Sequence, residues 1–484
     1  MDRHGVLLML ATFTLAWPWS SRALAQNPPI SSGSSMESGQ AGPGAPAQTT
    51  PLAGTAAPEV TPLLGAQEFS PGSRTPARNY LIPTFQWTGF VDTNGNSSTG
   101  RARRVMQSTY LGSLTVQHVK RRSQFNLNYA GGAFFYERTL EPVYTSEPQG
   151  YGAFHQLSIS QKVAWRRWQL FLGDTGSYLP NSPLGFAGMG GLSTLGGGPE
   201  GLSLPGSPVI SSMLQPSQSV LSTRARRLSN VAVAEVQLRA TSRSTLSVTG
   251  GYGTLNFREP GFIDSNYEYL LAAYTHAVSR RDSLSLVYTH VLIRFDVPDR
   301  GVLTRGFLVA YGHRITGRWS LEMSAGPLVN EIAQPQGGAI TRSFWTTYDT
   351  LSYRTKRFEL QGSFERSVRG GSGLLSGSEN DFVRANLGTR LSRTSYVSLF
   401  FGHAYDQSLQ RESALQRRAK VELWEGGVIL SREFGEHIST YVEYNTQRQI
   451  ANSPLCFGDN CGATFFRQVA GIGLNWHART IRSD

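Results

Sequence analysis

The stretch from Asn266 to Phe295, NYEYLLAAYTHAVSRRDSLSLVYTHVLIRF, decides the fold. It contains two long segments rich in Tyr, Leu, Val and Thr, residue types that favour strands. The short polar sequence Ser279-Arg280-Arg281-Asp282 joins the two segments. Long apolar-rich runs on either side of such a turn predict a β-hairpin. Similar pairs of runs recur from about residue 81 onward, so the fold of this hairpin must also suit the rest of the chain.

The hairpins repeat at a regular interval. In the later half of the chain the short turns follow one another at about 40 residues, a period that also occurs in solenoids and propellers. A propeller blade needs four short strands per repeat, whereas each repeat here contains two long strands. Two strands of about 13 residues are long enough for a tilted bilayer crossing, which requires about 9–11. The turns are centred near Arg243, Arg281, Arg318, Lys356, Arg393 and Gly435.

Within the predicted strands, apolar and polar residues alternate. Leu246, Val248 and Tyr252 share one face of their strand, and Ser247 and Thr249 share the other. This two-residue period is that of a sheet with one apolar and one wet face. A soluble sandwich would show the same alternation. Strand length, strand number and the asymmetry between short turns at one end and longer loops at the other favour an outer-membrane barrel.

We therefore predict an all-β protein, a transmembrane antiparallel up-and-down β-barrel of about 18 strands. Sixteen strands is the alternative, because Pro83 interrupts the first predicted strand and proline suits a strand start, an edge or a bulge. Both ends of the barrel segment fall on the short-turn side.

The N-terminus carries the features of a secretory signal. Arg3 and His4 precede the apolar run 5–17, and the small-residue site Ala23-Leu24-Ala25 follows it. This pattern predicts a signal peptide over 1–25 that is cleaved on export. Residues 26–80 are dominated by Pro, Ser, Gly and Ala and predict a disordered lead-in. The barrel is expected over 81–484.

The formal charge of +12 does not indicate a nucleic-acid partner. Many of the Arg and Lys residues lie in the predicted short turns, where they form a solvated rim. Nucleic-acid grooves combine positive charge with interleaved stacking aromatics, and no such pattern accompanies these turns.

The last predicted strand, FFRQVAGIGLNWHA, places Ala470, Ile472, Leu474 and Trp476 on one face. With this strand and the architecture above, residues 81–476 resemble the bacterial outer-membrane porin-like barrels. The chain departs from that family by continuing for eight residues, His477 to Asp484, beyond the final aromatic residue. The resemblance implies a Gram-negative outer membrane, contact with its lipid, and insertion by the outer-membrane assembly machinery.

The resemblance also implies a role for the long Gly-rich segment 176–230, which would be the third external loop. In general porins the loop at this position folds into the lumen and narrows it. The same constriction is expected here, formed by residues that include Phe186, Met189, Leu192 and Glu200.

A wide barrel encloses a polar interior, and passive transport needs only a wet lumen and charges that bias entry. We expect a porin-like channel for small hydrophilic solutes, with no catalytic group, cofactor or metal. Both signs of charge occur among the candidate pore-lining residues, which are Glu235, Gln237, Arg239, Glu322, Arg357, Glu359, Gln361, Glu365, Arg384, Asn386, Arg390, Glu443 and Asn445.

Two alternatives stay open at this stage. One is a non-conducting scaffold or adhesion barrel, and the other is an outer-membrane hydrolase, whose Ser, His and Asp or Asn could come from separate strands. Cys456 and Cys461, in the sequence CFGDNC, are expected to form a disulfide in an exported chain.

Overall fold

The computed structural model describes residues 79–93, 104–120, 122–137, 151–179, 226–258, 261–297, 300–333, 338–355, 357–370, 375–410, 418–452, 464–478 and 481–482. The predicted signal peptide, residues 26–78 of the predicted lead-in, Cys456 and Cys461 lie outside the described residues. Asn79 and Tyr80, which were predicted to belong to the lead-in, are the first residues of a strand, because they pair with the second strand of the sheet.

Eighteen long strands and one two-residue strand make up the described fold. The long strands have 12 to 16 residues each. Their bounds are β1 Asn79–Asp92, β2 Val105–Lys120, β3 Ser123–Glu137, β4 Tyr151–Ala164, β5 Trp168–Leu179, β6 Arg227–Arg239, β7 Ser244–Phe257, β8 Ser265–Ala277, β9 Asp282–Phe295, β10 Gly301–His313, β11 Trp319–Ala333, β12 Ala339–Arg354, β13 Phe358–Arg369, β14 Ser378–Arg390, β15 Ser395–Ser408, β16 Lys420–Phe434, β17 Ile438–Ala451, β18 Phe465–His477 and β19 Ile481–Arg482.

The strands form one closed sheet. Each long strand pairs antiparallel with its neighbours in the chain, and β1 pairs with β18 as well as with β2. This closure confirms the prediction of an 18-strand up-and-down antiparallel barrel. The hairpin that decided the fold is β8 and β9, paired from Ser265↔Phe295 to Ala277↔Ser283. Among the described residues, no helix is of a length and apolarity that would carry it across a bilayer.

Small differences in strand length change the bounds of the third loop. β5 continues to Leu179 and β6 begins at Arg227, so the segment between them is 180–226 and not 176–230. Residues 176–179 and 227–230 belong to the wall because they pair with each other, as in Gly176↔Asn230.

Alternate residues of each strand lie on two contrasting faces. On β7 the side chains of Leu246, Val248 and Tyr252 are exposed, whereas Ser247 and Thr249 are buried. The exposed face carries large apolar side chains around the whole barrel, which include Phe85, Leu172, Leu286, Phe307, Leu399 and Ile472. The buried face looks into the enclosed space, so the apolar residues of the sequence alternation point outward.

Pro83 does not break the wall. It pairs with Leu114 of β2 on one side. On the other side it lies where the ladder between β1 and the C-terminal segment is interrupted, between the pairs Thr84↔His477 and Leu81↔Ile481. The proline carbonyl accepts a hydrogen bond of 3.1 Å from the Ala478 amide. Because proline lacks an N–H, such a gap in the ladder is where it fits best, and the 16-strand alternative is wrong.

The residues after the last aromatic also have a place in the wall. β18 ends at His477, and β19 pairs Ile481 with Leu81 and Arg482 with Tyr80. The extension therefore lengthens the pairing of β1 beyond the end of β18.

Aromatic side chains on the inner face lie over glycines of the neighbouring strand. A Cβ atom placed on Gly473 would overlap the ring of Tyr441, its direct cross-strand partner. The same relation holds between Gly251 and Tyr269 and between Gly253 and Tyr267. Glycine lets a neighbouring ring lie flat along the sheet, a known means of stabilising glycine in strands.

The Tyr441 ring joins three strands at the closure. Its hydroxyl accepts a hydrogen bond of 2.7 Å from Gln86 Nε2 and lies 2.6 Å from Thr88 Oγ1. Tyr441 is on β17 and both partners are on β1, so the side chain passes over β18 at Gly473. This contact ties the first strand to the last two.

Aromatic residues near both ends of the predicted strands indicate two interfacial girdles, and these girdles are found in part. By the short turns, Trp165 and Trp168 are exposed, and the rings of Trp319 and Tyr353 lie 4.5 Å apart. At the loop end Phe135, Tyr151 and Trp345 are exposed as expected. The other loop-end candidates, Phe257, Phe295, Phe344 and Phe465, are buried. Alternation puts Phe257, Phe295 and Phe465 on the inner face, a distinction that proximity to a strand end does not reveal.

Substitution of Gly473 by Val should weaken the closure. The Val side chain would displace the Tyr441 ring and break its contacts with Gln86 and Thr88, at a cost of about 2 kcal/mol for two buried hydrogen bonds. The temperature at which the folded barrel unfolds, followed by its change in gel mobility, should fall.

Gly362→Val is the matched control, because a Cβ on Gly362 of β13 meets nothing within 4 Å. Equal stability of the two variants would contradict the role assigned to Tyr441.

Candidate functional site

The interior of the barrel has two chemically different sides. The inner faces of β5, β6 and β8 to β11 form a continuous apolar cluster. Its members on these strands are Phe171, Val231, Val233, Tyr267, Tyr269, Leu271, Ala273, Val287, Val291, Ile293, Phe295, Val302, Leu308, Ala310, Leu328 and Ile332, and Leu409, which follows β15, packs with them. Val287, Val302 and Leu308 are completely buried, so this apolar wall is packed and not exposed to water.

The other side is polar. From β13 through β18 to β1 the buried inner residues include carboxylates, guanidinium groups and amides, among them Asp92, Glu365, Arg369, Arg384, Asp406, Glu425, Glu443, Asn445, Gln447, Gln449 and Arg467. We call this set the polar wall. The expectation of an interior that is hydrophilic all round is therefore wrong for β6 and β8 to β10, where both faces of the strands are largely apolar. The inner face of β11 is mixed, with Leu328 and Ile332 beside Ser324 and Asn330.

The candidate pore-lining residues fall on the inner face but do not form one cluster. Glu365, Arg384, Glu443 and Asn445 lie buried in the polar wall. Glu235 is isolated on β6, beside the apolar wall. The remaining candidates lie toward the short-turn end or part of the way up the wall and are only partly buried or exposed, namely Gln237, Arg239, Glu322, Arg357, Glu359, Gln361, Asn386 and Arg390.

Glu365 belongs to a buried ionic group near the loop end of the wall. Its carboxylate accepts hydrogen bonds from Arg369 Nε at 3.2 Å and Ser367 Oγ at 2.6 Å, and Arg369 Nη2 completes the ion pair. All three residues lie on β13, where the two-residue period places them on one face. Buried charges persist where they are paired and hydrogen-bonded. Glu365 was among the pore-lining residues predicted from the sequence, and Arg369 was not.

A second buried ion pair lies at the closure. Arg467 on β18 donates to Asp92 Oδ2 through Nε at 2.8 Å and through Nη2 at 2.5 Å. Both residues were missed. The sequence did contain a signal for this pair. Asp92 ends the first predicted strand and Arg467 lies near the start of the last, and closure of the barrel brings those two strands together.

Glu235 contrasts with these paired groups. It lies directly opposite Thr249 of β7, and both side chains are buried. Within the described ranges, neither the carboxylate oxygens of Glu235 nor the Thr249 hydroxyl has a hydrogen-bond partner. The charge of Lys162, on β4, acts on Glu235 without a hydrogen bond between the two side chains.

Loop residues meet across the loop-end mouth. Phe262, which follows β7, packs against Leu255 and Phe257 of its own hairpin. It also packs against the cluster of Leu375, Ala419 and Val421, which lies between β13 and β16. β7 and β16 are on opposite sides of an 18-strand wall, so this contact crosses the enclosed space.

A second contact reinforces the crossing. Leu409, just after β15, belongs to the apolar wall, and its amide donates a hydrogen bond of 3.0 Å to the Gly377 carbonyl. Arg300 Nη1 donates to Ser376 Oγ at 2.9 Å. We call this group of contacts the mouth bridge. It consists of Phe262, Leu375 and Leu409 and the residues named above that they contact. The mouth bridge was not predicted from the sequence, where the segment 176–230 was expected to narrow the lumen.

The expected constriction residues Phe186, Met189, Leu192 and Glu200 lie outside the described residues, so the expected constriction stays a prediction.

The hydrolase alternative requires a Ser–His contact, and one occurs near the short turns. Ser244 Oγ lies 2.9 Å from His276 Nδ1 and 3.0 Å from the Tyr274 hydroxyl. In the described part of the chain no acidic or amide side chain is hydrogen-bonded to His276. The pair therefore lacks the third group that orients a catalytic histidine.

Replacing Glu365 by Gln should destabilise the barrel by about 3–5 kcal/mol, because it leaves the buried Arg369 guanidinium without its countercharge. Replacing Glu235 by Gln is the matched control. It removes a buried carboxylate that has no such partner, so the free energy of unfolding should stay the same or rise. Denaturant unfolding in detergent measures both, and an equal loss in the two variants would contradict this reading.

Comparison with known proteins gives structural likeness only. No family model and no curated protein matches the chain. Solved structures that resemble it include Pseudomonas aeruginosa OpdK with vanillate, with a TM-score of 0.42 and 10% identity, covering 82% of this chain and 98% of that chain. A BenF-like porin from Pseudomonas fluorescens Pf-5 gives 0.44 and 10%, covering 84% and 100%. Acinetobacter baumannii OccAB4 gives 0.44 and 8%, covering 84% and 99%.

Proposed function

We propose that the chain is a porin-like channel of a bacterial outer membrane, which lets small hydrophilic solutes diffuse through its interior. The observation that carries this proposal is the closed wall with an apolar outer face and a polar wall inside. A bilayer requires the first feature, because every backbone group must be paired within it. A solute path requires the second.

The polar wall supplies the solute contacts in this proposal. Its carboxylates, guanidinium groups and amides lie on one side of the interior, where they are as buried as the apolar wall. In this proposal solutes pass along that side, because its polar groups, unlike the apolar wall, can bind water and solutes. Passive diffusion needs no catalytic group, and none is assigned. The candidate pore-lining residues of the polar wall are Glu365, Arg384, Glu443 and Asn445.

Sidedness and export follow from the same proposal. The short turns face the periplasm and the longer connections face outward, as in outer-membrane barrels. Residues 1–25 serve as the cleaved export signal, 26–78 as a lead-in on the periplasmic side, and Cys456 and Cys461 pair in an external loop. The segment 180–226, which joins the loop ends of β5 and β6, narrows the path.

The channel proposal has a direct test. The mature chain, refolded and inserted into a planar lipid bilayer, should produce stepwise current increments in 1 M KCl. Deletion of most of 180–226 should increase the size of each step. A folded, inserted barrel that conducts no current would reject the channel and favour the non-conducting scaffold, the alternative that the mouth bridge supports.

The mouth bridge makes a separate prediction. Because Phe262 spans two opposite parts of the wall, Phe262→Ala should loosen the bridge and raise the single-channel conductance or the fraction of time the channel is open. The outward-facing Phe307→Ala, which removes the same side chain from the exposed surface, is the control and should leave the current unchanged. Unchanged current in Phe262→Ala would show that the bridge does not limit flow.

A further inference from the structure

Arginines oppose one another directly at the short-turn end of the barrel. The backbone ladder continues past the strand ends, with hydrogen bonds of 2.8 Å from the Arg239 amide to the Arg167 carbonyl and from Arg314 to Arg281. The same bond joins Arg354 to Arg318 at 2.9 Å and Arg390 to Arg357 at 2.8 Å. Each pair continues the register of its two strands, so its side chains start from the same face. Like charges placed directly opposite each other destabilise a sheet.

These side chains belong to the inner edge of the rim. Along β6 the inner positions are Glu235 and Gln237, and the next is Arg239. At the turn before β9, Asp282 shows which positions point outward. Its carboxylate accepts a hydrogen bond of 2.7 Å from the hydroxyl of Tyr311, which lies on the outer face. Arg281, one residue earlier, therefore has the inner phase.

Few acids offset this charge. Arg354 is held by Glu359 through its Nε at 3.0 Å. Asp282, next to Arg281, bonds Tyr311 and His313 on the outer face. Arg281, Arg314 and Arg318 are exposed, and within the described ranges none of them forms a salt bridge with a carboxylate. The three belong to two adjacent turns that are joined by the Arg314 to Arg281 hydrogen bond.

We propose that Arg281, Arg314 and Arg318 form a binding site for multivalent oxyanions of the phosphate type at the short-turn mouth of the interior. Opposed guanidinium groups can surround one anion, and each offers a planar fork that matches a phosphate edge. A multivalent anion would offset the repulsion that the ladder imposes, and a monovalent one would offset only part of it. The placement of this site at the periplasmic exit rests on the proposed function. The binding of the anion does not rest on it.

The alternative source of phosphate is a phospholipid headgroup. The exposed apolar side chains of these turns, Val278 and Ile315, mark the side that meets lipid, and their positions have the opposite phase to the arginines. The site is therefore assigned to a soluble anion.

The test is calorimetric titration of the full-length, detergent-solubilised barrel with pyrophosphate at low ionic strength. The variant R281Q/R314Q/R318Q should bind at least about tenfold more weakly, since it loses the charge-assisted hydrogen bonds of three guanidinium groups to the anion. The control K120Q/R393Q/R432Q removes the same number of charges from exposed positions of the same rim and should change the affinity less than about twofold. Lysine keeps the positive charge but lacks the paired N–H donors of the guanidinium group, so R281K/R314K/R318K should bind with intermediate affinity. This variant replaces the Gln variant in the test if the Gln variant does not fold.

Equal weakening in the Gln variant and its control would overturn the site, as would the absence of pyrophosphate binding in the unsubstituted barrel. Competition with pyrophosphate by micellar phosphatidylglycerol, but not by phosphatidylcholine, that persists in the control variant would assign the three arginines to lipid headgroups and also overturn the site. In planar bilayers the unsubstituted barrel should prefer anions, and pyrophosphate added on the short-turn side should block its current. The Gln variant should lose both properties. Pyrophosphate binding without any current would support the site and reject the channel.

Discussion

The pairing of β1 with β18 is the constraint on which the rest of this structure depends. A sheet that spans a bilayer cannot leave a row of N–H and C=O groups facing hydrocarbon, so the first strand must meet the last. Here the meeting is reinforced by the buried Arg467–Asp92 pair and by Tyr441, which reaches over Gly473 to β1. Pro83 is tolerated because it lies opposite the gap between β18 and β19. The ladder is already interrupted there, so the N–H that proline lacks is not needed.

Closure also explains why the inside of the barrel can be so uneven. Once the outer face is apolar all round, the inner face can differ from strand to strand without affecting the contact with lipid. The strands β6 and β8 to β11 pack an apolar wall inside, and the other side keeps paired charges such as Glu365 and Arg369. Loop residues then join opposite walls through Phe262. The interior thus combines a packed region, which adds stability, with a polar region, which is the part suited to solutes.

Local pattern was sufficient to predict the wall. Alternation in stretches such as 246–253 and the short basic turns predicted the barrel and its strand count. Pattern was not sufficient for contacts between distant residues. Nothing local links Asp92 to Arg467 or Phe262 to Leu375, since each pair meets only after closure. The apolar inner wall was missed for a different reason. Strands such as β9, with Leu286 outside and Val287 inside, are apolar on both faces, so their period carries no information about which face is wet.

The arginine pairs show the same limit from the other direction. In the sequence, Arg281 and Arg314 are members of separate turns and resemble ordinary solvated charges. The register places them opposite each other, and the cost of that arrangement is what suggests a ligand. The positive charge of these arginines therefore points to a ligand only once the strand register shows which of them lie opposite each other.

The central claim is that one face of every strand meets lipid and the other meets the enclosed interior. It is tested most directly by spin labels placed one at a time at positions 284 to 293 of β9, in a Cys456→Ser, Cys461→Ser background reconstituted in bilayers. Collision with oxygen, which partitions into lipid, should be high at Leu284, Leu286, Tyr288 and Leu292 and low at Val287, Thr289, Val291 and Ile293. Equal accessibility along the strand, or a reversed order, would contradict the account.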